Sequence, residues 1–260
     1  MISEDFVEAW KENANWKLLD MVEQDLIISR ALICLYSHPE IKTNLVFRGG
    51  TCLNKLFIKP PARYSEDIDF VQRLPGPIGK TIDAIREVLL PWLGEPKRKI
   101  TERGVKLIYK YISVGNLPAK LKIEINTSEH FQVLSLRQEH FSIQSEWFEG
   151  SCDISTYDFE ELMATKLRAL YQRRKGRDLF DIWYVFNSCS VNIDQVIHVF
   201  HKYCEKEGAR ISKDLFKNNM EEKRLNTDFR IDMSLLLPPG MNWNFDEAFI
   251  FFQENIIEKI

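Results

Sequence analysis

The period of the apolar residues changes along this 260-residue chain, and that change limits the possible folds more than any other feature. In the first half, Ser65–Gln72 (SEDIDFVQ), Val105–Ser113 and Pro118–Asn126 alternate polar and apolar residues. Such alternation marks strands with one buried face, and the last two read as a pair. Asn44–Gly50 (NLVFRGG) is a short apolar run closed by two glycines, a strand ending in a tight turn. Helical spacing lies between these segments. It covers residues 3–36, where Trp16, Leu19, Val22, Leu26 and the Leu32–Leu35 group recur, then Thr51–Phe57 and 79–93. Pro75-Gly76-Pro77 ends the SEDIDFVQ strand. From about residue 155 to the final Asp246–Ile260 segment the pattern is almost wholly helical. The chain therefore reads as α+β: a mixed sheet flanked by helices over residues 1–150, then a helical domain over 151–260, with the boundary near Gly150. No internal repeat or low-complexity stretch interrupts this order.

Composition narrows the class. Hydrophobic residues make up 45% of the chain and charged residues 28%, as in ordinary globular proteins. Lys and Arg total 35 against 38 Asp and Glu, so any nucleic-acid site has to be a local basic patch on a slightly acidic protein. Five scattered cysteines without a CxxC pair argue against a disulfide scaffold and for a reducing cytoplasm. The acidic N-terminus, MISEDFVEAW, does not read as a signal peptide, and no apolar run approaches the ~18 residues of a membrane helix.

Several segments carry chemistry. In Phe47-Arg48-Gly49-Gly50-Thr51-Cys52-Leu53, a strand passes through a diglycine turn into a helix start. Gly49, Gly50 and Thr51 there can offer backbone N–H groups to a phosphate, although most diglycine turns are only turns. Asp67 and Asp69 lie two apart on a strand and project together. Paired carboxylates repel unless a cation sits between them, and Mg²⁺ binds through such oxygens plus substrate phosphates. An exposed acidic strand face would show the same pattern. Glu124, between Ile123 and Ile125, is a candidate third carboxylate for a two-metal site, or a solvated strand charge. In Asp158–Arg174, Lys166 falls inside the apolar arc of Phe159, Leu162, Met163, Leu167 and Leu170. A lysine there needs an anionic partner or snorkels. Arg173 follows one heptad on, and Arg177, Asp178 and Asp181 follow in GRDLFDIWYVF. The two aspartates also suit a helix N-terminus.

The order of strand, Gly-Gly, helix, DxD strand and later apolar–acid–apolar strand is similar to the polymerase-β-type nucleotidyltransferase signature. FRGGTCLNKLF followed by RYSEDIDF, with VEQDLIISRAL before it, resembles the AbiEii/AbiGii toxin family of type IV toxin–antitoxin systems. The run from Lys166 through GRDxxDxW is similar to that family's second block. The resemblance implies a nucleotidyltransferase-type sheet whose active site is completed by the helical domain. Asp67, Asp69, Lys166 and Asp181 are the catalytic residues it implies. It also implies Mg²⁺ or Mn²⁺ on Asp67, Asp69 and Glu124, and an NTP held by Gly49, Gly50, Thr51, Ser65, Arg173, Arg177 and Asp178. Transfer to the 3′ end of tRNA would block translation and growth, in a phage-defence setting restrained by a cognate antitoxin. Lys97, Arg98, Lys99, Lys106, Lys110, Lys120 and Lys122, and separately QRRKGR at Gln172–Arg177, supply local positive charge for RNA.

Two other readings stay open: the same chemistry on a protein or small-molecule acceptor, or a non-catalytic nucleotide-binding module. His198, His201 and Cys204, spaced by three on a helix, spread around its circumference without a fourth ligand, so zinc is not expected. No nucleophile-elbow sequence supports serine hydrolase chemistry. Phe245, Phe249, Phe251 and Phe252 are expected in the core.

Overall fold

A computed structural model describes residues 2–260, which form two compact units. The first holds residues 2–131 and 136–157, the second 132–135 and 158–260.

The first unit opens with α1 (Glu4–Trp10), α2 (Leu19–Tyr36) and α3 (Pro39–Asn44). Strand β1 (Leu45–Arg48) leads into α4 (Gly49–Cys52), which widens into a π-type turn over Leu53–Phe57. Then come β2 (Asp67–Gln72), α5 (Gly79–Leu93), β3 (Lys97–Thr101), β4 (Gly104–Ile112), β5 (Pro118–Asn126), β6 (Arg137–Gln144) and β7 (Glu149–Thr156). The seven strands form one mixed sheet in the order β3-β4-β5-β2-β1-β7-β6. The β2–β5 and β1–β7 pairs are parallel, and the others antiparallel.

Alternation divides the sheet into two faces. Phe47, Ile68, Phe70, Leu107, Tyr109, Ile123 and Ile125 share the inner one and are at most 2% exposed. Helices α2 and α5 cover it, and Phe70 meets Phe47 and Tyr36 ring to ring at 5.8 and 6.0 Å. Each such side chain contributes about 1.5–3 kcal/mol on burial, which locks the register. The polar residues between them, including Asp67 and Asp69, are thereby fixed on the other face.

Strands β3, β6 and β7 go beyond the sequence expectation. Strand β7 pairs with β6 and reaches β1 through Thr156 opposite Phe47, so Gly150 lies inside a hairpin and the chain leaves this unit only after Tyr157. The strand expected from Ser65 begins at Asp67, and Ser65 stands just before it.

The second unit consists of α6 (Phe159–Gln172), α7 (Gly176–Ser188), α8 (Ile193–Lys206), α9 (Lys213–Arg224), α10 (Thr227–Ile231) and α11 (Phe245–Asn255). Five of them start at a residue whose side chain accepts a backbone N–H: Asp158, Asn192, Ser212, Asn226 and Asn244. Leu162, Met163, Leu167 and Leu170 of α6 pack into a core with Phe180, Phe200, Phe216 and Phe252, all at most 1% exposed. Phe245 and Phe249 are buried as expected, and Phe251 is half-buried. Glu161, fully buried, explains the chain crossover. Its carboxylate accepts the backbone N–H groups of Val133 and Leu134 at 2.8 and 2.7 Å and the Tyr203 hydroxyl at 2.7 Å. No described helix is long and apolar enough to cross a membrane.

Candidate active site

The polar face of the first sheet gathers charge around β2. Pairing places Arg48 beside Asp69, Asp67 beside Lys122, Asp69 beside Glu124, and Glu124 beside Lys106. The Lys122 ammonium lies 2.6 Å from Asp67 and 3.0 Å from Glu124, and Lys106 is 2.7 Å from Glu124. Arg48 reaches Glu129 at 3.0 Å. Partial burial pushes the Asp67 carboxyl up to about 6; Lys122 opposes the shift, while Glu66 and Asp69 add to it. Burial also acts to raise Glu124, but Lys106 and Lys122 outweigh it and hold this carboxyl below its ordinary value.

The diglycine turn sits against this face. Gly49 has φ +86°, and a Cβ placed on it would stand 2.6 Å from Oδ2 of Asp69. The backbone can come this close to the carboxylate only because the residue is glycine. Gly49→Ala is therefore expected to cost about 1–3 kcal/mol in stability and to shift Asp69. Thermal melting together with Mn²⁺ titration checks both effects, and divalent binding is expected to weaken at least tenfold.

The Thr51 side chain, by contrast, faces inward. The residue is 3% exposed and its hydroxyl donates to the Asp67 carbonyl, leaving its backbone N–H as the group it can present to a phosphate. Ser65 Oγ accepts from buried Arg63 at 2.8 Å. Three residues that the sequence reading did not single out align the turn and the strand. Gln24 donates to the carbonyls of Glu66 and Lys120 and so joins the residue just before β2 to β5. Asn54 donates to Gly50 and accepts from Ala62 and Arg63. Asp25 accepts from Lys55 at 2.7 Å and from Trp10 at 2.9 Å, tying the segment after the glycines to α2.

Two cavities flank the carboxylates. One of about 370 Å³ is lined by Arg48, Asp69, Arg103, Lys106 and Glu124. The other, about 650 Å³, is lined by Met21, Tyr64, Asp67, Lys110, Tyr111 and Lys120. Asp67 and Asp69 suit a hard divalent cation: they are oxygen donors on one strand face, and Asp67 already holds an ammonium in contact. Among the described residues no three His, Cys, Asp or Glu side chains gather as a metal-holding group. A cation on this pair would complete its ligands from phosphate and water, the usual Mg²⁺ arrangement.

The second unit contains a buried charge cluster of its own. Lys166 is 4% exposed, and its ammonium lies 2.7 Å from Asp181 and 3.5 Å from Asp178. Asp178, fully buried in the first turn of α7, accepts from Nε and Nη2 of Arg173 at 2.6 and 2.8 Å. Arg177 is held by Asp232 at 3.1 Å. Asp232 and Lys223 escaped the sequence reading, although Phe216, Met220 and Lys223 share one helical face, which was a usable signal.

Lys223 is 2% exposed and donates to the carbonyls of Leu170 and Tyr171 at the end of α6. Burial, opposed by Asp178, pulls its pKa down to about 8. An unfolded lysine titrates near 10.4, so between these values the unfolded chain binds the extra proton. Unfolding free energy should rise with pH above about 8, by up to roughly 3 kcal/mol. Chemical denaturation at pH 7.5 and 10 should show this rise in the wild type and its loss in Lys223→Met.

A family profile described as "Nucleotidyl transferase AbiEii toxin, Type IV TA system" matches residues 30–250. No curated protein matches the sequence. Among solved structures the fold is similar to MenT4, the nucleotidyltransferase toxin Rv2826c from Mycobacterium tuberculosis H37Rv. Identity is 16% and the TM-score 0.63, over 100% of this chain and 91% of that one. JHP933 from Helicobacter pylori shares 16% identity at TM-score 0.52, over 90% of this chain and 88% of that one. At such identity the likeness concerns the fold, and it agrees with the expected nucleotidyltransferase-type architecture.

Proposed function

The chain belongs to the AbiEii family of nucleotidyltransferase toxins, and from that premise we propose that it transfers a nucleoside monophosphate from an NTP to the 3′ hydroxyl of an RNA, tRNA foremost. The observation that carries the reading is the pairing of Asp67 and Asp69 on one strand face, with Gly49 closed against Asp69. Asp67 and Asp69 would hold the divalent cation, which when bound polarises phosphate and acceptor oxygens. The amides of Gly49, Gly50 and Thr51 receive phosphate at the start of α4. Arg48, Arg103 and Lys106 line the 370 Å³ cavity beside Asp69 and suit the rest of the triphosphate. The acceptor oxygen attacks the α-phosphorus in line. The new P–O bond forms as the bond to the β-phosphate oxygen breaks, and pyrophosphate leaves. The hydroxyl proton passes to a carboxylate of this face or to water; Glu124, kept ionised by Lys106 and Lys122, is the carboxylate proposed to take it. Lys166 and Asp181, with Arg173, Arg177 and Asp178, are proposed to serve the same reaction, as the family's second block implies.

Such modification of tRNA would stop translation, and a cognate antitoxin would restrain it. The test is incubation of the protein with each labelled NTP, Mg²⁺ and total RNA. Label in tRNA is the expected result. Label in protein or in a small molecule moves the reading to another acceptor, and nucleotide binding without transfer overturns it.

A further inference from the structure

The register of β3, β4 and β5 sorts their charges in a way the sequence does not show. Lys120, Lys122 and Glu124 of β5 stand beside Lys110, Ile108 and Lys106 of β4, and Lys97 and Lys99 of β3 stand beside Ile108 and Lys106. These residues share the polar face with Asp67 and Asp69, whereas Arg98 and Ile100 project from the opposite face. Six lysines thus lie on one face. Lys106 and Lys122 are neutralised by Glu124 and Asp67. The other four, Lys97, Lys99, Lys110 and Lys120, are exposed and have no ion-pair partner among the described residues.

This arrangement opposes folding. Lys110 stands directly across from Lys120. Like charges directly opposite on neighbouring strands are destabilising. The fold does not need them there, since inward-facing Leu107, Tyr109 and Leu121 already hold the strands. A polyanion across the strands would remove the repulsion. Lys110 and Lys120 also line the 650 Å³ cavity that ends at Asp67, so the row runs from an edge strand to the carboxylate pair.

We propose that Lys97, Lys99, Lys110 and Lys120 form a phosphate track that guides a single-stranded RNA end across β3, β4 and β5 to Asp67. The track rests on the transferase reading only for what happens to that end. Asp20 and Glu66, which also line the cavity, repel phosphate, so the cavity takes the terminal nucleoside and the lysines take the phosphates behind it.

The test is fluorescence anisotropy with a labelled RNA hairpin bearing a single-stranded 3′ tail, measured across a salt series. Each phosphate contact on a single strand contributes about 0.7 to the slope of log K against log salt. The quadruple variant Lys97→Ala, Lys99→Ala, Lys110→Ala, Lys120→Ala should lower the slope by about 2–3 and weaken binding at least tenfold at low salt. Arg98→Ala, from the opposite face, should bind as wild type does. All four lysines are exposed and their mutual repulsion is removed, so the quadruple variant should melt no lower than the wild type. Wild-type affinity and slope in the quadruple variant would overturn the track, as would an equal loss in Arg98→Ala or no RNA binding by the wild type. These outcomes separate from the transferase reading. A wild type that binds RNA through these lysines yet transfers nothing refutes transfer and keeps the track. One that transfers label while the quadruple variant binds normally refutes the track alone.

Discussion

Asp67→Asn is expected to reduce nucleotide transfer by on the order of a thousandfold, about 4 kcal/mol of transition-state stabilisation, and to leave the fold at least as stable as before. The two halves of this expectation have one origin. The Asp67 carboxyl titrates up at about 6 because partial burial, together with Glu66 and Asp69, disfavours its charge, despite Lys122. Its unfolded value lies near 3.9, so between pH 4 and 6 the folded chain binds the extra proton. Stability therefore falls as pH rises through that window, and above it the ionised group weakens the fold. The amide keeps the shape, removes the repulsion and leaves Lys122 with Glu124 at 3.0 Å. Steady-state transfer assays and urea denaturation at pH 7.5 check both parts. A loss of stability with transfer intact would make Asp67 a structural partner of Lys122 and remove the basis of the proposed mechanism.

The parts of the fold that were legible in the sequence are those that local burial dictates. Strands β2, β4 and β5 each bury one face, so alternation shows them. Strand β3, Lys97–Thr101, is an edge with four exposed residues in a row, and its sequence carries no alternation. Strands β6 and β7 bury few apolar side chains between them, chiefly Phe141, Ile143 and Ile154, and they exist through pairing with each other and with β1. Long-range pairing of that kind leaves little trace in a local pattern, so the sequence does not show that β7 carries the first unit on to Tyr157.

The candidate site divides in the same way. Asp67 and Asp69 announce themselves because strand geometry alone makes them neighbours. Lys166 was visible because it interrupts an apolar arc. Glu161, Lys223 and Asp232 were not, since their partners lie 28, 53 and 55 residues away. Thr51 shows a further limit. A motif fixes which residue follows the glycines, but whether its hydroxyl turns toward a ligand or toward the Asp67 carbonyl is decided by packing.

Lys166→Met should destabilise the protein by about 3–5 kcal/mol, the usual consequence of removing one partner from a buried ion pair. Lys166, Asp178 and Asp181 have side-chain exposures of 5%, 0% and 1%. The substitution takes an ammonium from two carboxylates that water cannot reach, while Arg173 still pairs with Asp178. The double variant Lys166→Met, Asp181→Leu also removes the carboxylate nearest the ammonium and fills the space with apolar atoms. Buried pairs replaced in this way are often neutral, so much of the loss should return, to within about 1–2 kcal/mol of wild type. Urea denaturation of both single variants and the double variant measures the coupling. Transfer by the refolded double variant then separates two roles that a single substitution confounds. If Lys166 serves the reaction as well as the fold, the stable double variant is inactive. Wild-type transfer by it would confine Lys166 and Asp181 to folding and leave the chemistry to the carboxylates of β2.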